Sequence, residues 1–223
     1  MIITLENIQP QIENLIKAYP NLSIMESNSS MIRLHGSILI HRVLHDFPLR
    51  KTYNIDICIP LNSTDLPYII DTDNAIDTTY HHRYPDGRLC LETDSRIKIH
   101  FINGFDLLEW MDVFVEPYFV SYEFYQLYGQ FPTGERGHDI IGVMDYYQEF
   151  FHVDNVLKTY KMMEFVTYFP YRGHCPCPCE SNLPLRKCHG EWLLPIYKDK
   201  RIKHIVINDY IKLKEFLNET RKH

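Results

Sequence analysis

Apolar positions recur at two different periods along this chain. Between residues 4 and 18, Ile8, Ile12, Leu15 and Ile16 fall on one helical face. Pro10 suits a first turn, so a helix is expected to begin near Asn7 or Gln9. Residues 21–25 fit a short strand or loop. A strand is expected over 31–44, with Gly36 as a possible bulge. Residues 51–59 alternate, with Tyr53, Ile55, Ile57 and Ile59 on one face, and Phe47-Pro48-Leu49-Arg50 reads as the turn before them. A shorter strand fits 66–71. A helix followed by an antiparallel meander gives an α+β fold class.

Residues 72–104 are polar and carry Asp-Gly and Asn-Gly turn signals. An irregular stretch of that length is functional or disordered. Helical spacing returns over 105–124, where Pro117 should kink or split the helix. Further helices fit 140–147 and 154–168. A cysteine- and histidine-rich segment occupies 174–190, followed by a strand-like run at 202–208 and a helix over 209–218. The expected domains are 1–168 and a small appendage, 169–223.

Composition narrows the class. Hydrophobic residues make up 45% and charged residues 23% of 223, which is the balance of a globular chain. A formal net charge of −6 argues against a duplex nucleic-acid binder working by bulk charge. Twelve histidines can make the true charge pH-dependent near neutrality. The start of the chain lacks a signal-peptide pattern, and the best apolar run, 112–120, is broken by Glu116 and Pro117. A cytoplasmic protein without membrane association is therefore expected. In a reducing compartment six cysteines are free, catalytic or metal-bound rather than paired.

Cys177-Pro178-Cys179, eight residues, then Cys188-His189 is a four-ligand pattern for structural zinc. His174 and Cys175 are spare ligands beside it. A reduced, metal-free cluster is the alternative. Cys58 fits a core strand.

Cys90 stands apart, just after the Asp86-Gly87 turn and preceded by His81 and His82. Acyl transfer through cysteine needs a thiolate, an oxyanion donor and a proton route. His82, or His81 as second choice, can approach Cys90 if the chain folds back through the turn, and Arg88 can lower the thiol pKa by its charge. The same cysteine also fits a buried place in a short strand, since free cysteines are among the most buried residues. A weaker reading is a zinc hydrolase built on His81, His82 and Asp86.

The order of helix, meander, irregular loop and Gly87-Arg88-Leu89-Cys90-Leu91 resembles the ubiquitin-conjugating (E2) domain in its divergent bacterial form. His82 stands where that family has its oxyanion Asn, eight residues before the cysteine. The tail resembles a SEC-C zinc motif, Cys-Pro-Cys-Gly-Ser-Gly with a later Cys-His. Here the two glycine positions hold Glu180 and Asn182. Bacterial E2-like proteins of this kind occur in antiphage operons of the CBASS type. The resemblance implies an E2-like transferase whose Cys90 forms a thioester with the C-terminus of a protein partner, a cGAS-like nucleotidyltransferase (CD-NTase), and promotes its conjugation in antiviral defence. It implies Cys90, His82 and His81 as catalytic residues, and Cys177, Cys179, Cys188 and His189 as ligands of a structural Zn2+. The alternative is a catalytically inactive E2-like scaffold that docks a partner through its zinc tail.

Overall fold

The computed structural model describes residues 2–132, 137 and 139–220. They form an α+β structure with an N-terminal helix, a four-stranded antiparallel sheet and C-terminal helices. The chain divides into two units, Met1–Glu92 with Asn103–Glu135, and Thr93–Ile102 with Arg136–His223.

The first unit begins with α1 (Leu5–Ala18). It starts earlier than expected because Thr4 and Asn7 form a reciprocal capping box, which satisfies two first-turn donors. Pro10 lies inside the helix on its exposed side, where Glu6, the residue that loses its helical donor, faces water.

The sheet runs in the order β1 (Leu22–Ser27), β2 (Met31–Leu44), β3 (Phe47–Pro60), β4 (Tyr68–Asp71). Leu34, Ile38, Ile40, Tyr53, Ile55, Ile57 and Ile69 are buried on one face, as the alternation requires. Two expectations are corrected. The turn before β3 is the pair His45-Asp46, both at positive φ, and Phe47-Pro48 already belongs to the strand. Such a two-residue loop matches strand twist. Pro48 is tolerated because β4 reaches only Ile55 to Cys58 of β3, so one side of β3 has no ladder there. Gly36 makes no bulge, since β2 and β3 pair without interruption. It is needed for close approach: a Cβ would meet the Asn21 carbonyl oxygen at 2.0 Å, and φ is 149°.

After the sheet come α3 (Leu107–Trp110), a π-helical turn (Met111–Val115) and α4 (Glu116–Tyr128). The π turn sits just before Pro117 and absorbs the missing N–H, so the run continues instead of splitting. Helix α4 covers the sheet, with Phe119 against Tyr53 at 4.2 Å between ring centroids.

The second unit contains α2 (Asp94–His100), which lies within the stretch expected to be irregular, α5 (Asp139–Phe151), α6 (Val156–Tyr168), the cysteine segment, α7 (Gly190–Lys198) and α8 (Lys200–Thr220). The strand expected at 202–208 is the first half of α8. Val206, Asp209, Tyr210 and Leu213 are its buried positions, and that 3–4 residue spacing packs a helix on α6. Met144, Tyr147, Phe151, Met162, Val166, Cys177, Cys179 and Leu185 share one core. Helices α5 and α6 therefore belong with the cysteine segment, and the unit division falls ahead of the boundary expected at 168. Asp209 is buried and accepts hydrogen bonds from Ser95 Oγ and, at 2.8 Å, from the Tyr147 hydroxyl, tying α8 to α2 and α5. None of the described helices is long and apolar enough to cross a membrane.

Candidate functional site

Cys90 ends a small hairpin, residues 82–90. Tyr84-Pro85-Asp86-Gly87 makes its turn: Gly87 N–H donates to the Tyr84 carbonyl at 3.0 Å, and Tyr84 N–H to the Arg88 carbonyl at 2.8 Å. Proline presets the first corner and glycine takes the left-handed residue, φ 85°. Leu89 N–H donates to Ile69 O at 2.9 Å and Asp71 N–H to Gly87 O at 3.0 Å, so the hairpin is laid against β4. The fold-back brings Cys90 and His82 together, with Cys90 N–H donating to the His82 carbonyl at 2.8 Å.

That carbonyl takes a second donor that the sequence did not signal. The Tyr118 hydroxyl of α4 reaches it at 3.0 Å. Burial, with the neighbouring Tyr80 and Cys90, pushes the Tyr118 phenol far above its ordinary value, so it stays a neutral donor. The His82 imidazole packs edge-on against Phe131 at 5.4 Å and near Tyr80 at 5.6 Å, and Tyr80 also touches Tyr122 and Tyr125. His81 is exposed, and Cys90 is half-buried.

The loop leading to the hairpin is pinned from below. The buried Asp71 carboxylate accepts from Ala75 N–H and Ile76 N–H at 3.2 and 2.9 Å. Arg83 lies 3.8 Å from it and donates to Asn74 Oδ1 at 2.7 Å. Arg88 is engaged with Asp86 at 2.7 Å and over the rings of Tyr68 and Tyr84. Cys58 is a buried β3 thiol whose pKa burial pushes up, as suits a packing residue.

The second site is built on another hairpin. Cys177 N–H donates to Leu183 O at 2.9 Å, and Leu185 N–H to Cys175 O at 2.7 Å. The loop between them carries Glu180 and Asn182 at φ 64° and 61°. A 3-10 turn at Leu185–Lys187 then delivers Cys188 and His189 to the start of α7. Gly190 is obligatory there, because a Cβ would sit 2.7 Å from Leu185 O and 2.9 Å from the Tyr171 hydroxyl.

The ligand atoms of Cys177, Cys179, Cys188 and His189 all lie within 4.8 Å of one another. His189 Nδ1 is 3.3 Å from Cys177 Sγ and 3.0 Å from Cys188 Sγ, and Cys179 Sγ is 3.4 Å from Cys188 Sγ. A tetrahedral ion with metal–sulfur bonds of about 2.3 Å spaces its ligands by roughly 3.4 to 3.8 Å. The donor set fits a metal such as zinc. Ser181 Oγ, 3.2 Å from Cys188 Sγ, adds a polar contact to that sulfur. Neither Cys175 nor His174 belongs to the group. Among the described residues this is the one group of three or more metal-capable side chains, so His81, His82 and Asp86 form no second one.

The thiols differ in protonation. Burial pushes Cys177 up to about 12. Burial also acts to raise Cys179, but hydrogen bonds from Ser181 and Cys177 outweigh it and bring that thiol down to about 6.

Comparison with known proteins returns nothing: no family model, curated protein or solved structure matches this chain.

Proposed function

We propose that the protein is an E2-like cysteine acyl carrier. Cys90 adds to the C-terminal carbonyl of an activated protein partner. The carbon–sulfur bond forms, the activating group leaves with its bonding pair, and a partner amine then displaces the thiol to make an amide. The observation that carries the reading is the hairpin that seats Cys90 on the His82 carbonyl, beside β4 and under Tyr118. It comes directly after an antiparallel meander, in the order of elements of the E2 family. Cys58, by contrast, lies buried inside the β3 ladder, whereas Cys90 stands half-buried at the end of the hairpin. In this reading His82 supports the oxyanion, with His81 as the second candidate, and the tail cluster holds a structural Zn2+.

The first unit has seventeen acidic and seven basic side chains, and the second twelve and sixteen. The overall charge of −6 is therefore the sum of an acidic thiol-bearing unit and a mildly basic zinc unit. A net acidic charge on that unit favours a partner with basic segments over nucleic acid. A cGAS-like nucleotidyltransferase in a CBASS-type defence system is the partner we propose, acting in the cytoplasm.

Co-expression with that partner tests the reading. The wild type should carry a thiol-sensitive mass increment, and Cys90→Lys should trap a reductant-resistant amide. Normal partner modification by Cys90→Ala would refute it and favour the inactive scaffold.

A further inference from the structure

We propose that His152 is an outer-sphere positioning residue of the Cys177–Cys179–Cys188–His189 centre, held in place by Trp192, so that metal affinity depends on the C-terminal end of α5. The inference rests on the metal reading of that cluster and is independent of Cys90.

Three observations carry it. First, the two nitrogens of His189 have different surroundings. Nδ1 faces the sulfurs of Cys177 and Cys188, while Nε2 lies 3.3 Å from the main-chain carbonyl oxygen of His152. A carbonyl only accepts, so Nε2 carries the hydrogen and the Nδ1 lone pair is left for a metal. The ligand tautomer is thus selected by a main-chain atom 37 residues away.

Second, that carbonyl is aimed by an uncommon backbone. His152 follows the last residue of α5 with φ 55°. Its N–H donates to Glu149 O at 3.1 Å and Val153 N–H to Gln148 O at 3.0 Å, closing the helix in a left-handed cap. Glycine is the usual residue at such a cap. A histidine there carries backbone strain that a side-chain contact can offset.

Third, the offsetting contact is present. The His152 imidazole stacks on the Trp192 indole at 3.6 Å between centroids, with 24° between planes. Trp192 lies in the first turn of α7, three residues after His189. The ring stack and the carbonyl contact therefore join the same two pieces of chain, the cap of α5 and the start of α7. Two attachment points fix the rotation of the His189 ring, where one would leave it free to swing. Outer-shell partners of this kind typically change metal affinity by about 10–100-fold.

The test is zinc affinity of the full chain, measured by competition with a chromophoric chelator. Trp192→Leu keeps apolar volume but removes the stack, and should weaken zinc binding at least tenfold. Trp192→Phe restores an aromatic face and should recover most of that loss, a rescue that mere filling of space would not produce. His152→Gly relieves the backbone but frees the carbonyl, and should also weaken binding. Affinities within twofold of wild type for Trp192→Leu and His152→Gly would overturn the inference, as would equal losses for Trp192→Leu and Trp192→Phe. A wild type that takes up no stoichiometric zinc overturns the metal reading and this inference with it, whereas normal wild-type binding with unaffected variants overturns the inference alone.

Discussion

The main-chain N–H of Cys90 donates to the carbonyl of His82 at 2.8 Å, and the Tyr118 hydroxyl donates to the same oxygen at 3.0 Å. One carbonyl thus joins the two strands of the thiol hairpin to α4. Removing the hydroxyl alone isolates its share. Tyr118→Phe keeps the ring and should cost about 1 kcal/mol, the usual worth of a hydrogen bond. Urea denaturation monitored in the intact protein checks it, and an unchanged midpoint would mean that the bond contributes nothing net.

Gly87 sets the turn of that hairpin. At φ 85°, an added Cβ would also press on Ile70 Cγ2 at 3.3 Å and Asp71 O at 3.4 Å. Gly87→Ala should cost on the order of 1–2 kcal/mol from the left-handed backbone. It should also speed alkylation of Cys90 by iodoacetamide, because the strand that carries the thiol frays. Wild-type stability and alkylation rate together would contradict this account.

Glu180 and Asn182 sit at φ 64° and 61°, where the resembling zinc motif has glycine. Asparagine tolerates that region and glutamate does so poorly. Glu180→Gly gives up an exposed ion pair with Lys161, worth about 0–1 kcal/mol, and removes strain of about 1–2 kcal/mol. The variant should be slightly more stable than wild type, and Asn182→Gly nearly neutral. Thermal melts in the presence of zinc decide, and clear destabilisation of Glu180→Gly would count against the strain argument.

Metal uptake should be pH-dependent. Cys177 is raised to about 12 by burial, while hydrogen bonds hold Cys179 at about 6 despite burial. Within this pair Cys179 is the thiol that ionises first and Cys177 the one that holds its proton longer, so metal binding near neutrality must expel the Cys177 proton. Below about 6 it must expel that of Cys179 too, and affinity should fall more steeply there. Without metal the two thiols act oppositely on stability. The Cys179 contribution is complete above an unfolded thiol's 9.0 and is lost as pH falls through about 6. The Cys177 contribution is complete below 9.0 and is lost as pH rises through about 12. Calorimetry of zinc binding in buffers of different ionisation enthalpy, from pH 5 to 8, reads the protons released. A constant proton count across that range would exclude this ordering of the thiols.

Part of this was legible because the information is local. The four metal-capable ligands lie within residues 177–189, so donor type and spacing suffice to group them. The Pro85-Asp86-Gly87 turn declares its own geometry, and it folds the main chain of His82 back onto that of Cys90. The alternation of Tyr53, Ile55 and Ile57 marks the face of β3 that joins the apolar core, while Asp56 and Cys58 on the other face are buried as well.

Other features were illegible because short-range pattern leaves more than one solution. Ile202, Ile205, Val206 and Ile207 suit either a strand or a helix, and α6 decides for helix by accepting Val206, Tyr210 and Leu213 along one stripe. His45-Asp46 outcompetes the Phe47-Pro48 turn because a two-residue loop lets β2 and β3 pair over their full lengths.

By itself, then, the sequence determined the donor set of the tail cluster, the hairpin turn before Cys90 and the buried face of the sheet. Each follows from atoms close together along the chain, where spacing and backbone preference act directly. Only the tertiary structure decided that the Tyr118 hydroxyl and the His152 carbonyl support the two sites. Those partners are 36 and 37 residues from the groups they touch, and one of them is a main-chain oxygen that every residue type carries. A peptide carbonyl leaves no mark in residue identity, so its role exists only once helix packing has put it in place.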